Sequence, residues 1–223
     1  MLLRPRLIAA AGAMVAVLTC AAPASARIVE IGGSPWATPS CPSTPCYALS
    51  RTTGYQAKVV DSRSTYIVPA NGRIVAWTIG LGNPDSRQID FFDSNFGESS
   101  AQLTILRRGK RLYHRVMSQT PVEKLQPYFG QKVQFPLTTS IAVKKGYVVA
   151  LTVPTWAPAL TQVLNDGSAW RASRAKGKCD DTDTQTAQTR INTRKQYRCL
   201  YRARLTYSAT LITSPKPNKK KKT

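Results

Sequence analysis

The chain has 223 residues, 42% of them hydrophobic, and carries 32 Lys and Arg against 11 Asp and Glu, a net charge of +21. That size fills one sizeable core and argues against two domains. A single histidine leaves little material for histidine-based catalysis, and the charge excess directs attention to anionic partners, although it also serves solubility alone.

Residues 1–26 read as a secretory leader. Arg4 and Arg6 precede an apolar run from Leu7 to Leu18, and Ala24-Ser25-Ala26 is the small-x-small pattern that signal peptidase accepts. The apolar run is short for a membrane span of about 20 residues, and Val17-Leu18-Thr19-Cys20 is a poor lipobox. No later segment is long and apolar enough to span a membrane. Cleavage starts the mature chain near Arg27 and, by removing Arg4 and Arg6, leaves a charge of +19. The expectation is a secreted, extracellular protein, for which anionic envelope polymers or glycans are better partners than nucleic acid.

Cleavage also removes Cys20 and leaves Cys41, Cys46, Cys179 and Cys199, an even set that an oxidising compartment turns into two disulfides. Of three pairings, the sequence-local one is expected, Cys41 with Cys46 and Cys179 with Cys199, because each pair brackets a stretch poor in core-forming residues. Neither pair has the two-residue gap of a zinc knuckle.

In chain order, residues 27–46 contain Gly32, Gly33, Pro35, Pro39 and Pro42 and read as an extended N-terminal arm pinned by the small disulfide loop. The domain is expected over 47–213, and 214–223, with Lys219 to Lys222, as a disordered lysine-rich tail. Within the domain, 55–60 and 66–68 are expected strands, and Pro69-Ala70-Asn71-Gly72 a tight reversal. Residues 73–81 follow, with Val75, Trp77, Ile79 and Leu81 on one side and Ile74, Ala76, Thr78 and Gly80 on the other.

Residues 83–100 read as a long polar connection. Residues 102–107 and 111–118 form a hairpin around Arg108-Gly109-Lys110, whose glycine is expected to take the positive φ of a short loop. Further strands are expected at 132–137, 140–143, 147–153 and 170–174. The longest alternation, 199–211, places Cys199, Tyr201, Ala203, Leu205, Tyr207, Ala209 and Leu211 on one buried face. The sum is an all-β fold, a jelly-roll-like antiparallel sandwich of about 8–10 strands. Helix is expected at most as a turn or two at 121–128 or 158–164.

Three segments carry a resemblance: Val68-Pro69-Ala70-Asn71-Gly72-Arg73-Ile74-Val75-Ala76-Trp77, then Thr104-Ile105-Leu106-Arg107, then Ile141-Ala142-Val143-Lys144-Lys145-Gly146-Tyr147-Val148-Val149-Ala150-Leu151. Over about residues 66–151 the chain resembles a group of uncharacterised secreted actinobacterial β-sandwich proteins. The resemblance implies a fold, not an activity, and Tyr147 stands where that group usually has an acidic residue. Carbohydrate-binding jelly rolls have a similar look.

The residues suggest no catalytic group, cofactor or metal site. His114, between Tyr113 and Arg115, reads as a surface residue whose cationic neighbours oppose its protonation. Asp85, Asp90, Asp93 and Glu98 offer the carboxylates a glycosidase needs, but loop spacing cannot set their separation. Asp180, Asp181 and Asp183 read as a solvated acidic patch, with calcium binding as the alternative. What is left is a binding surface. Arg107, Arg108, Lys110, Arg111 and Arg115 crowd one hairpin, and Arg198, Arg202 and Arg204 share the outward parity of the last strand. Tyr113, Trp156 and Trp170 are either stacking platforms or core. The expected function is a secreted, non-enzymatic module that associates with anionic envelope polymers or glycans. A carbohydrate-active enzyme and a structural envelope protein binding another protein are the alternatives.

Overall fold

Alternation of apolar with polar residues drives this chain into strands, and the fold is an all-β sandwich of antiparallel sheets. A computed structural model describes residues 25–33, 36–162, 167–181 and 184–215. Residues 1–24 of the expected leader, Asp183 and the lysine run lie outside those residues.

The elements are β1 (Ile28–Ile31), β2 (Leu49–Lys58), β3 (Gly72–Gly80), α1 (Ser86–Phe96), β4 (Ser100–Arg108) and β5 (Tyr113–Gln119). There follow β6 (Glu123–Lys124), β7 (Lys132–Val143), β8 (Val148–Ala157), β9 (Leu160–Thr161) and β10 (Ala169–Ala172). The last four strands are β11 (Arg194–Gln196), β12 (Cys199–Tyr201), β13 (Arg204–Leu205) and β14 (Tyr207–Thr213). One sheet has the order β1-β14-β3-β7, and the larger has the order β11-β5-β4-β8-β2-β10-β12, with β6 extending β4. A β9–β13 pair stands apart from both. Among the described residues no helix is long and apolar enough to cross a membrane.

The inward faces meet in one core. Leu103 and Ile105 of β4 and Val149, Leu151 and Val153 of β8 join Ile74, Trp77 and Ile79 of β3 and Tyr207, Ala209 and Leu211 of β14. Each Leu, Ile or Val side chain among these contributes about 1.5–3 kcal/mol by leaving water. Two buried tyrosines add polar ties. Tyr207 donates its hydroxyl to the Val149 carbonyl at 3.0 Å, linking the sheets, and Tyr66 donates to the Tyr207 carbonyl at 2.8 Å. Gly54 in β2 makes room for Trp170, whose ring carbon would lie 2.6 Å from a Cβ there.

The larger sheet buries its outer face too. Thr53, Thr104 and Thr152 form a hydrogen-bonded row across β2, β8 and β4, with Oγ1 separations of 2.9 and 2.6 Å. Tyr55, Leu106, Val116, Val148, Ala150 and Tyr197 form a second apolar cluster. The segment between β10 and β12 covers this face, where Gln188 donates its backbone N–H to Thr53 Oγ1 and accepts from the Tyr197 hydroxyl. Both expected disulfides are formed, Cys41 with Cys46 and Cys179 with Cys199.

Several expectations are corrected. The 83–100 connection contains α1, started by a capping box in which Asp85 accepts from the Gln88 N–H and the Gln88 side chain accepts from the Asp85 N–H. The 199–211 alternation is not one strand. The chain leaves the larger sheet after β12 and enters the smaller one at β14, so residues 203–209 are buried on both sides. In β3 the pairing slips between Ile74 and Ala76, which turns Ile74 into the core beside Trp77 and leaves Val75 half-buried. Residues 66–68 make no hairpin with β3; Ile67 forms a single bridge to Val148. At the β4–β5 connection the positive φ falls on Arg111 and Leu112, while Gly109 is extended. Gly109 is needed for space instead, since a Cβ would meet the Tyr113 carbonyl at 2.8 Å.

Candidate functional site

The strongest surface feature is built by strand register. Arg107 of β4 lies directly across from Arg115 of β5, and Arg115 lies directly across from Arg194 of β11. Three arginines therefore stand side by side over three strands, on the face opposite His114. Arg194 also covers the Tyr113 ring at 4.4 Å, and Arg115 donates to the Asn192 carbonyl at 3.3 Å. With Arg108 and Gly109 these residues line a shallow cleft of about 190 Å³, and Lys110 and Arg111 project from the adjoining 3-10 turn Lys110–Leu112. None of these cations forms a salt bridge among the described residues. Like charges directly opposed in a sheet cost stability, so the row is a concentrated, uncompensated positive surface. Sequence reading identifies the hairpin arginines because they are local. It misses Arg194, which long-range pairing of a three-residue strand supplies.

The other expected binding residues lie elsewhere. Arg202 is exposed between β12 and β13, beside the strand at the opposite edge of the larger sheet from β11. Arg204 is only 4% exposed, because β13 pairs with β9 in the buried crossover between the sheets. Trp156 is fully buried. Its indole N–H donates to Asp93 Oδ1 at 2.7 Å and its ring stacks on Phe92 at 4.6 Å. Trp170 is buried over Gly54 and beside Tyr201. Both tryptophans are core, and neither is a stacking platform.

His114 is also interior, 3% exposed, because its parity turns it toward the covered outer face. Its ring lies 5.1 Å from that of Tyr55 and 4.8 Å from that of Tyr197. Nδ1 is 3.1 Å from the Leu112 carbonyl and so carries the proton, while buried Nε2 has no partner among the described residues. Burial lowers the imidazole pKa from 6.5 to about 4, the Leu112 bond opposes this, and Arg108 and Arg171 reinforce it. The ring is therefore neutral near pH 7.

Four of the carboxylates have structural roles. Asp93 accepts from Trp156 with one oxygen and from the Gln126 amide at 2.6 Å with the other, docking α1 on β8. Asp85 caps the helix, and Glu98 pairs with Lys124 at 2.8 Å. Asp181 pairs with Lys178 at 3.3 Å and accepts from Thr184, whose hydroxyl and backbone N–H together hold its pKa down to about 2. Among the described residues no three His, Cys, Asp or Glu side chains gather as a metal site. Compared with known families, curated proteins and solved structures, the chain gives no match.

Proposed function

We propose that the protein is a secreted, non-enzymatic module that binds an anionic polymer, such as an envelope polymer or acidic glycan, through the arginine row. The observation that carries this reading is the register Arg107, Arg115, Arg194, with Lys110 and Arg111 beside it and no carboxylate in salt-bridge reach among the described residues. Solubility requires charge but not its alignment, since dispersed cations serve solubility without like-charge repulsion. Alignment across three strands instead presents a line of cations to a linear polyanion, with each cation contributing on the order of 1 kcal/mol near an anionic surface. The two disulfides support a location in an oxidising compartment.

Cosedimentation of the purified protein with isolated cell wall, across a salt series, tests the reading. Binding that falls with salt, and falls further when Arg107, Arg115 and Arg194 are changed to Gln, is expected. Retention that ignores both salt and those changes would contradict it.

A further inference from the structure

A second cationic cleft lies on the other side of β11. Arg194 and Lys195 alternate in that strand, so while Arg194 joins the surface row, Lys195 turns toward the covered outer face of the sheet. There it meets Arg51 of β2 and Arg174, just after β10, around a cleft of about 170 Å³. Lys178 and Asp181 also line the cleft but pair with each other at 3.3 Å. That leaves Arg51, Arg174 and Lys195 without a salt bridge among the described residues.

Four residues that line this cleft carry unused polar atoms: Arg51 Nε, Arg174 Nε, Thr52 Oγ1 and Gln185 Oε1 are all buried without a hydrogen-bond partner among the described residues. Buried polar groups are ordinarily bonded, and four of the seven unpartnered side-chain atoms among the described residues converge here. Thr52 is 3% exposed. Rotation of the Gln185 amide exchanges its oxygen for a donor.

The donors are held in place. Arg174 donates Nη1 to the Cys179 carbonyl and to the Tyr201 hydroxyl, which ties it to the Cys179–Cys199 bridge. Lys195 donates to the Thr186 carbonyl and hydroxyl at 2.7 and 3.0 Å. Arg51 lies where the β2–β8 register slips between Ser50 and Thr52, at φ of 40°, with its guanidinium 4.9 Å over the Phe96 ring. A left-handed backbone at a non-glycine residue is a strained arrangement that concentrates at binding sites. Burial also lowers the Lys195 pKa, and a bound anion would relieve that cost.

We propose that this cleft binds a compact oxyanion, a phosphate or sulfate group, between Arg51, Arg174 and Lys195, with the Thr52 hydroxyl as a further donor. The cleft has room for a tetrahedral oxyanion, held as a free ion or as a phosphate or sulfate end group. This site is independent of the arginine row, from which β11 separates it.

Isothermal titration calorimetry of the full chain at constant ionic strength tests the proposal, with inorganic phosphate, sulfate and glucose 1-phosphate as probes. Saturable one-to-one binding of at least one probe is expected. Uptake of inorganic ions but not the ester assigns the cleft to the free ion, and uptake of the ester admits an end group. Thr52→Val, which removes the hydroxyl but keeps the shape, should weaken binding about tenfold. Arg174→Gln should weaken it further. Absence of saturable binding by every probe at tens of millimolar would overturn the proposal. So would binding unaltered by Thr52→Val and Arg174→Gln, which would place the ion elsewhere.

Discussion

Acidification should weaken the fold through His114. Its folded pKa, about 4, lies below the ordinary 6.5, so between those values the unfolded chain binds the proton and the folded chain does not. Stability conferred by the neutral ring is therefore full above about pH 6.5 and is lost as pH falls toward 4. The difference, at about 1.4 kcal/mol per pH unit, amounts to about 3 kcal/mol, a large part of the 5–15 kcal/mol typical of a domain. Its first cause is burial between Tyr55 and Tyr197, and Arg108 and Arg171 add repulsion. Denaturant midpoints from pH 7.5 to 3.5 measure this in the wild type and in His114→Asn, whose amide N–H takes the place of Nδ1–H. Subtracting the two curves removes the carboxylates common to both, and the wild type should lose about 3 kcal/mol more. His114 is the only histidine, so its imidazole resonances also read the midpoint directly. A midpoint near 6.5, or parallel stability curves, would refute the assignment of this ring to the interior.

Asp93→Asn should cost about 1–3 kcal/mol by weakening the bonds to Trp156 and Gln126 that dock α1, with lowered thermal midpoint and altered tryptophan fluorescence as the readouts. Replacing Cys179 and Cys199 together by Ser should cost about 3 kcal/mol through the reopened ring, measured by denaturant titration. It should also loosen Arg174 in the oxyanion cleft while sparing the arginine row. Gly54→Ala should cost about 1–3 kcal/mol, since its methyl would press on the Trp170 ring, and a differential scan would record the fall. Arg115→Gln should raise stability by a few tenths of a kcal/mol by removing two like-charge contacts, an increase visible in the midpoint at low salt.

Local signals carried most of the architecture. Alternation located the principal strands, and the bracketing of core-poor segments gave both disulfides. Periodicity failed where the backbone departs from a regular ladder. The slip at Val75 turned Ile74 inward, and the crossover after Tyr201 divided one alternating run between two sheets. Helix α1 had its signature in Asp85, Gln88 and Gly97, but no residue of it is fully buried, so its apolar stripe is weak against the polar background. The hairpin cations were readable because they are neighbours in sequence. Arg194, the outer-face burial of His114 and the Arg51–Arg174–Lys195 cleft depend on β2–β10 and β5–β11 pairing and on a disulfide ring that folds back over the sheet. No local spacing encodes those meetings.

The most direct test of the arginine row is a titration of the protein with polyphosphate and with polygalacturonate over a salt series, beside the Arg107→Gln, Arg115→Gln, Arg194→Gln variant. The wild type should bind at least one polymer with an affinity that falls steeply with salt. The variant should bind more weakly and with a shallower salt dependence. Equal affinities and equal salt slopes for the two proteins would contradict the account.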